Sequence, residues 1–232
     1  MKRLFAPTII IALLLAQGCA WFRDDLNEKP AQELVQDGVE EFDKGDYKDA
    51  IKNFQALKDL YPFSKYAIVA ELKIADSHYR LQEYPEAILA YQDFEQLHPR
   101  NEAIPYIIYQ IGRCHYEQID TIDRDQDSAQ KALETFQRLI QQYPQESYAE
   151  QARTHIAKCY QSLSGHELYV AHYYYKSQNY KAALKRFMAV VNDYPDSGYH
   201  LEALSFIAQC EALLAVQEKR PDSYEMTPIS PF

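Results

Sequence analysis

The stretch Tyr84-Pro85-Glu86-Ala87-Ile88-Leu89-Ala90-Tyr91-Gln92-Asp93-Phe94-Glu95-Gln96-Leu97-His98-Pro99 decides the fold. Tyr84, Ala87, Tyr91 and Phe94 follow one another in steps of three and four, which places them on one face of a helix. Pro99 ends that helix, because it has no N–H and restricts the residue before it. The same frame fits Tyr47, Ala50, Phe54, Leu57 and Pro62, and again Tyr180, Ala183, Phe187, Val190 and Pro195. It fits Ala129, Ala132, Phe136, Leu139 and Pro144 with only the opening Tyr lost. A unit this short cannot bury its own apolar face and must stack on copies of itself. That points to a scaffold and away from an enzyme.

A second ladder gives the same period. Ile74-Ala75, Ile111-Gly112, Ile156-Ala157 and Ile207-Ala208 are spaced 37, 45 and 51 residues apart, as are the closing prolines. The extra residues therefore lie inside units. The first insertion is the acidic loop around Asp120–Asp127. The second is accounted for by an extra helix, about Tyr148–Leu163, ahead of the complete pair Glu167–Tyr194. The predicted helices are about 32–44 and 47–60, 65–81 and 85–97, 104–118 and 128–142, 148–163, 167–177 and 181–193, and a last one at 199–219. Pro85 suits a first helical turn.

Six Gly and 11 Pro in 232 residues argue against an all-β chain. Twenty Tyr against one Trp supply rings with polar tips. A formal charge of −10 excludes general nucleic-acid binding, which needs a basic face.

The chain opens with Lys2 and Arg3 and a short apolar run, Leu4 to Ala16, too short to span a bilayer. Leu15-Ala16-Gln17-Gly18-Cys19 resembles a bacterial lipobox, in which the peptide is cut before the Cys. Gly18 and Cys19 match, Ala16 is a weaker choice where Leu is usual, and Gln17 is atypical. An ordinary signal peptide is the competing reading. The resemblance implies a diacylglycerol on the Cys19 thiol and an acylated amine. Several acyl chains anchor far more firmly than one. Ala20, in place of Asp, implies sorting to the outer membrane. Losing residues 1–18 removes two of 24 basic residues against 34 acidic ones, moving the formal charge to −12. The organisation expected is a signal at 1–18, a tether at 19–31, repeats at 32–219 and a disordered tail at 220–232.

The small residues Gly38, Ala75, Gly112 and Ala171, with the closing prolines, resemble the tetratricopeptide repeat. The fold implied is an all-α, right-handed superhelical solenoid of about ten helices, with a concave face that binds peptides and partner domains. More closely, residues 19–215 resemble the BamD family of outer-membrane β-barrel assembly lipoproteins. Cys19, Tyr61-Pro62-Phe63, the insertion at Asp123-Arg124-Asp125, and Glu167-x-x-Val170-Ala171-x-Tyr173-Tyr174 carry the resemblance through their order and spacing. The family usually completes a fifth helix pair, whereas here the last helix runs into a Pro-containing stretch. The resemblance implies a non-enzymatic scaffold on the periplasmic face of the outer membrane. BamA would bind through C-terminal repeats and unfolded barrel substrates through N-terminal ones. Another periplasmic scaffold, associated with Tol-Pal or peptidoglycan, is the alternative.

Helix phase selects the groove residues: Val35, Val39 and Phe42, then Leu72, Asp76, Tyr79 and Arg80, then Tyr109, Arg113 and Tyr116. Tyr and Arg are favoured binding anchors, and Arg pairs with a carboxylate. The bland alternative is core packing between repeats. For the partner, repeat four offers His172, Tyr175, Lys176, Lys185 and Arg186, the last at a position where the BamD pattern carries a basic residue near BamA.

No other chemistry competes. Asp123, Asp125, Asp127 and Glu134 mimic a calcium-loop count, but Ser128 stands where the turn needs Gly. His166-Glu167 lacks the second His of a zinc-protease motif, and no C-x-x-C occurs. Cys114, Cys159 and Cys210 share one repeat position, which marks small buried packing residues. No cofactor is expected beyond the acyl groups on Cys19.

Overall fold

The computed structural model describes residues 29–194 and 197–219. The lipobox with Cys19, most of the tether, Pro195 and residues 220–232 lie outside the described residues. Among the described residues the chain forms nine α-helices and no strand. It divides into two compact units, Met1–Leu81 and Gln82–Phe232.

The first unit holds α1 (Ala31–Lys44), α2 (Tyr47–Leu60) and α3 (Ala67–Arg80). Gly45 reverses the chain between α1 and α2 with φ +89°, and its N–H closes on the Phe42 carbonyl. A left-handed residue at this point is the ordinary helix stop, and Gly adopts it without a Cβ clash. The core is Leu34, Ala50, Phe54, Leu57, Ala70 and Ile74. The repeat frame thus supplies the buried face of α2. Gly38 is small for a reason: a Cβ there would lie 2.6 Å from the Phe54 ring.

The second unit holds α4 (Tyr84–Leu97), α5 (Ile104–Tyr116), α6 (Asp127–Gln142), α7 (Ser147–Lys176), α8 (Tyr180–Asp193) and α9 (His200–Glu218). Each helix packs on the next, and α5 also touches α7. Ala87, Tyr91, Ala132, Phe136, Leu139, Ala183, Phe187 and Val190 are fully buried, as the frame requires. Gly112 repeats the arrangement of Gly38, since its Cβ would meet the Phe136 ring at 2.5 Å. Burying a side chain the size of Phe136 or Phe187 contributes about 1.5–3 kcal/mol. These packed helix pairs are the tetratricopeptide arrangement.

One expectation is corrected. The helices placed at 148–163 and 167–177 are a single 30-residue helix, α7. Ser164-Gly165 resembles a break, and Gly in a helix costs about 1 kcal/mol relative to Ala. Tertiary packing overrides it. Ser164 and Gly165 are both buried, and a Cβ on Gly165 would meet Ile122 at 3.0 Å on one side and Tyr199 at 3.4 Å on the other. The inserted loop is tied to this same place. The Ile122 carbonyl lies 2.7 Å from His166 Nδ1, and the Ser162 hydroxyl donates to Gln126 at 2.8 Å.

Candidate functional site

In the first unit, the residues chosen by phase gather with two others that the sequence did not single out for the groove. The Phe42 ring meets Tyr47 edge-on, at 5.3 Å between centroids. Lys73 Nζ sits 4.1 Å over Phe42, and the Arg80 guanidinium sits 5.3 Å over Tyr47. Two cations thus cap two neighbouring rings, each contact contributing about 0.5–1 kcal/mol at an exposed site. Asp76 is 8% exposed, with a carboxylate oxygen 3.8 Å from Lys73 Nζ. Leu72 and Tyr79 are half-buried. Tyr47 went unnoticed because its frame position reads as packing, and Lys73 because a lone Lys carries no signal. A cation one helical turn from Asp76 was the available clue.

Beside this cluster, α1 carries an open cleft of about 560 Å³ lined by Val35, Gln36, Val39, Glu40, Asp43 and Lys44. Its floor is apolar and its rim charged. Lys44 is paired to Glu40 at 2.8 Å and to Glu41 at 3.0 Å. Those bonds, Glu40 first, raise the Lys44 pKa above the ordinary lysine range.

In the second unit the equivalent positions behave differently. Tyr109, expected in the groove, is only 6% exposed. It packs on Phe136, Tyr148 and His155, with centroids at 6.0, 5.5 and 5.8 Å. Tyr109 is therefore a core residue, and burial raises its phenol pKa. The Tyr116 ring lies against His155, tilted, at 4.7 Å between centroids, and Arg113 pairs with Glu117 at 2.9 Å. Burial, then the charges of Arg113 and Lys158, hold the His155 imidazole below its usual range. Tyr148 and His155 come from the extra helix. Their positions in α7 were legible, but not that α7 would cover α5.

The five partner residues separate into two groups. His172 and Tyr175, both half-buried, make internal contacts with α9. The His172 ring is edge-on to Phe206 at 4.6 Å and Phe187 at 5.3 Å, with Nε2 2.9 Å from Glu202. The Tyr175 hydroxyl donates to Gln209 at 3.0 Å. Lys176 and Lys185 are exposed. Arg186 makes two hydrogen bonds to Glu167, at 2.8 and 2.9 Å, while 42% of its side chain stays exposed. The Glu167 bonds raise the Arg186 pKa further. Lys185 and Arg186 share a cleft of about 450 Å³ with Glu167, Tyr174, Ala182, Ala189 and Asp193. Both bonds come from one terminal nitrogen, so the guanidinium is held by the carboxylate while its remaining N–H groups can serve a second acceptor.

Cys114, Cys159 and Cys210 are buried free thiols. Burial pushes the first two up to about 12 and raises the third. A thiol so placed is a poor nucleophile. Among the described residues no group of three or more His, Cys, Asp or Glu is arranged to hold a metal, and no helix is long and apolar enough to cross a membrane.

Residues 27–226 match the family model YfiO, described as outer membrane lipoprotein. An outer membrane protein assembly factor BamD of Caulobacter vibrioides is 28% identical over 229 residues, covering 94% of this chain and 75% of that protein. A protein of the same name from Pasteurella multocida is 28% identical over 219 residues, covering 90% of this chain and 84% of that one. Among solved structures, a thermophilic TPR protein of Thermus thermophilus is 15% identical, with 80% of this chain and 100% of that one covered at a TM-score of 0.43.

Proposed function

The chain belongs to the YfiO family of outer membrane lipoproteins, and on that premise we propose that it is a lipid-anchored scaffold of the outer-membrane protein assembly machinery. It carries its acyl groups on Cys19, at the periplasmic face of the outer membrane. It works without a cofactor and without catalysing a reaction. Its C-terminal repeats bind a BamA-like barrel protein, and its N-terminal repeats receive unfolded outer-membrane proteins.

The observation that carries this reading is the pairing of family membership with two differently built surfaces. In the first unit, an apolar cleft on α1 lies near rings capped by Lys73 and Arg80. An unfolded barrel segment is extended and rich in aromatics. It offers rings to an apolar floor and, at a chain end, a carboxylate to a cation. Val39, Phe42, Leu72, Asp76, Tyr79 and Arg80 are the residues assigned to that role in the first unit, and Arg113 and Tyr116 are those assigned to it in the second. In the second unit, Lys185 and Arg186 share a cleft and offer an acidic partner surface two cations, one already oriented by Glu167, and Lys176 is exposed at the end of α7. Folded partners are recognised through such pre-positioned charge, which sets association rate and register.

The test is co-purification from detergent-solubilised envelopes. Stoichiometric recovery of a BamA-like barrel protein is the expected result. Recovery of the chain with Tol-Pal or peptidoglycan-associated proteins instead overturns the assignment. Separately, Cys19→Ala is expected to move the chain from the membrane to the soluble fraction once complex partners are stripped by high salt. Retention under those conditions argues against the anchor.

A further inference from the structure

The four closing prolines are followed by Phe63, Arg100, Gln145 and Asp196. Phe63, Arg100 and Gln145 are all exposed. Water accounts for the polar residues of the later turns but not for Phe63, which at 102% is the most exposed large apolar side chain among the described residues. Leu60 and Pro62, also exposed, extend this apolar tip. Hydrogen bonds close the turn that carries it. The Ser64 N–H donates to the Tyr61 carbonyl at 2.9 Å, the Ala67 N–H to the Ser64 carbonyl at 2.9 Å, and the Tyr66 N–H to Ser64 Oγ at 3.3 Å. Pro62 fixes its own backbone as well. Phe63 is thus held out on a shaped turn. A single exposed apolar residue is common on a protein surface, so its place in the fold decides its meaning. Of the three described turns, this is the one tied to the start of the chain: the Tyr61 hydroxyl donates to the Lys29 carbonyl at 3.0 Å.

We propose that the tip Leu60–Phe63 is a membrane-contact site, with the Phe63 ring seated at the headgroup boundary of a zwitterionic lipid surface. The proposal rests on the Cys19 anchor of the function proposed above. Cys19 lies ten residues before Lys29, an extended reach of roughly 35 Å at most, so an anchor there keeps the Lys29 end of the first unit beside the bilayer. From that end α1 leads away and α2 returns to Tyr61, each 14 residues long. The Gly45 turn is therefore about 20 Å farther off, and the end that carries the bare ring is the end nearest the anchor. Charge selects the kind of surface. Around the tip Lys29, Lys58 and Lys65 are balanced by Glu33, Asp37 and Asp59, with Lys29 paired to Asp37 at 2.6 Å. Such a balance suits a neutral headgroup layer and offers an anionic one little attraction. A folded protein is a poorer occupant, since one turn is small beside the roughly 800 Å² per partner of a stable interface. A ring that reaches the acyl boundary gains by the apolar area it removes from water. With the anchor already holding the chain, the effect of that gain is orientation: the Lys44 end of the α1 cleft is turned away from the lipid and left open.

The test uses the full chain, purified in detergent and reconstituted into phosphatidylcholine vesicles. Intact mass first reads whether Cys19 carries acyl groups. Phe63→Cys and, at the opposite end of α2, Lys48→Cys are each labelled with an environment-sensitive dye. Cys114, Cys159 and Cys210 are buried and stay unlabelled. Phe63 and Lys48 are both exposed, so neither change opens the core. Spin-labelled lipid is expected to quench the dye at position 63 at least about twofold more than at position 48, as befits a side chain seated at the headgroup boundary. With the dye moved to Lys65→Cys, adding Phe63→Ser is expected to lower the quenching, which ties the effect to the native ring. Equal quenching at 63 and 48, or no loss with Phe63→Ser, in a chain whose mass shows the acyl groups overturns the proposal and leaves the anchor standing. A mass without acyl groups overturns the anchor and the proposal with it. A dye at 63 that lipid does not quench in vesicles, yet that is shielded from aqueous iodide in native envelopes, overturns the proposal in favour of a protein partner.

Discussion

Val35, Leu72 and Tyr109 occupy one repeat position, as do Phe42, Tyr79 and Tyr116, yet the two units use these positions differently. In the first unit Val35 is half-buried and lines an open cleft, and Phe42 is capped by the Lys73 cation. In the second unit Tyr109 is buried under Tyr148 and His155 of α7, and half-buried Tyr116 lies against His155. The residues on the following helix are the difference: by the Ile ladder, Tyr148 and His155 stand where Tyr66 and Lys73 stand in the first unit. Where that helix brings aromatic rings over a groove position, as at Tyr109, the position becomes core. Where it brings a cation, the same phase leaves a surface with rings and charges to offer. The functional value of a repeat position is thus set by what packs over it.

The comparison can be broken most directly by truncating both members of the pair. Tyr109→Ala is expected to destabilise by about 3–5 kcal/mol, the range for a buried aromatic, whereas Val35→Ala costs about 1 kcal/mol or less. Urea midpoints of the soluble Cys19→Ala chain measure this. Equal losses would mean that Tyr109 is not core. The next effect should be common to both units. Gly38→Ala and Gly112→Ala each force a Cβ into a buried Phe ring, at 2.6 and 2.5 Å, and each is expected to cost about 1–3 kcal/mol. Neutral substitution in one unit alone would show that the repeat register is not preserved there. Smaller again is Lys73→Met, which removes the cation over Phe42 and keeps its bulk. It should cost about 0.5–1 kcal/mol of stability while lowering affinity for an aromatic, unfolded barrel peptide in a fluorescence titration. Unchanged affinity would remove Phe42 and Lys73 from the proposed groove.

The smallest effect concerns pH. His155 titrates lower in the folded chain than in the unfolded one. Its contribution is therefore fully present above the ordinary histidine value of 6.5, and is lost as pH falls from there through the lowered folded value. His155→Gln should flatten part of the decline in denaturation midpoint between neutral and mildly acidic pH. The part due to His115, also lowered by burial, should remain. A full, unchanged decline in the variant would place the proton uptake elsewhere.

Much of this molecule was legible in its residues. The Tyr-Ala-aromatic-Pro frame identified four of the buried helix faces, and the two ladders located both insertions. The frame works because steric rules are local: three-and-four spacing makes a face, a proline ends it, and an apolar face must be covered. The fused α7 was missed because Gly165 reads as a break, and only Ile122 and Tyr199, distant in sequence, explain why it is not. Helix phase grouped Phe42, Asp76 and Arg80 on one face, but it could not give the burial of Tyr109. Phase is a property of one helix, while exposure depends on its neighbours.

The chain's own sequence therefore determined the helix pairs, their period and the family to which it belongs. These follow from local stereochemistry repeated along one strand of residues. Only the tertiary structure decided which repeat positions are surface. It buried Tyr109, turned His172 and Tyr175 inward onto α9, and left Arg186 held by Glu167 at the mouth of a cleft. Each of these depends on a partner at least 19 residues away, and no periodic pattern encodes such a pairing.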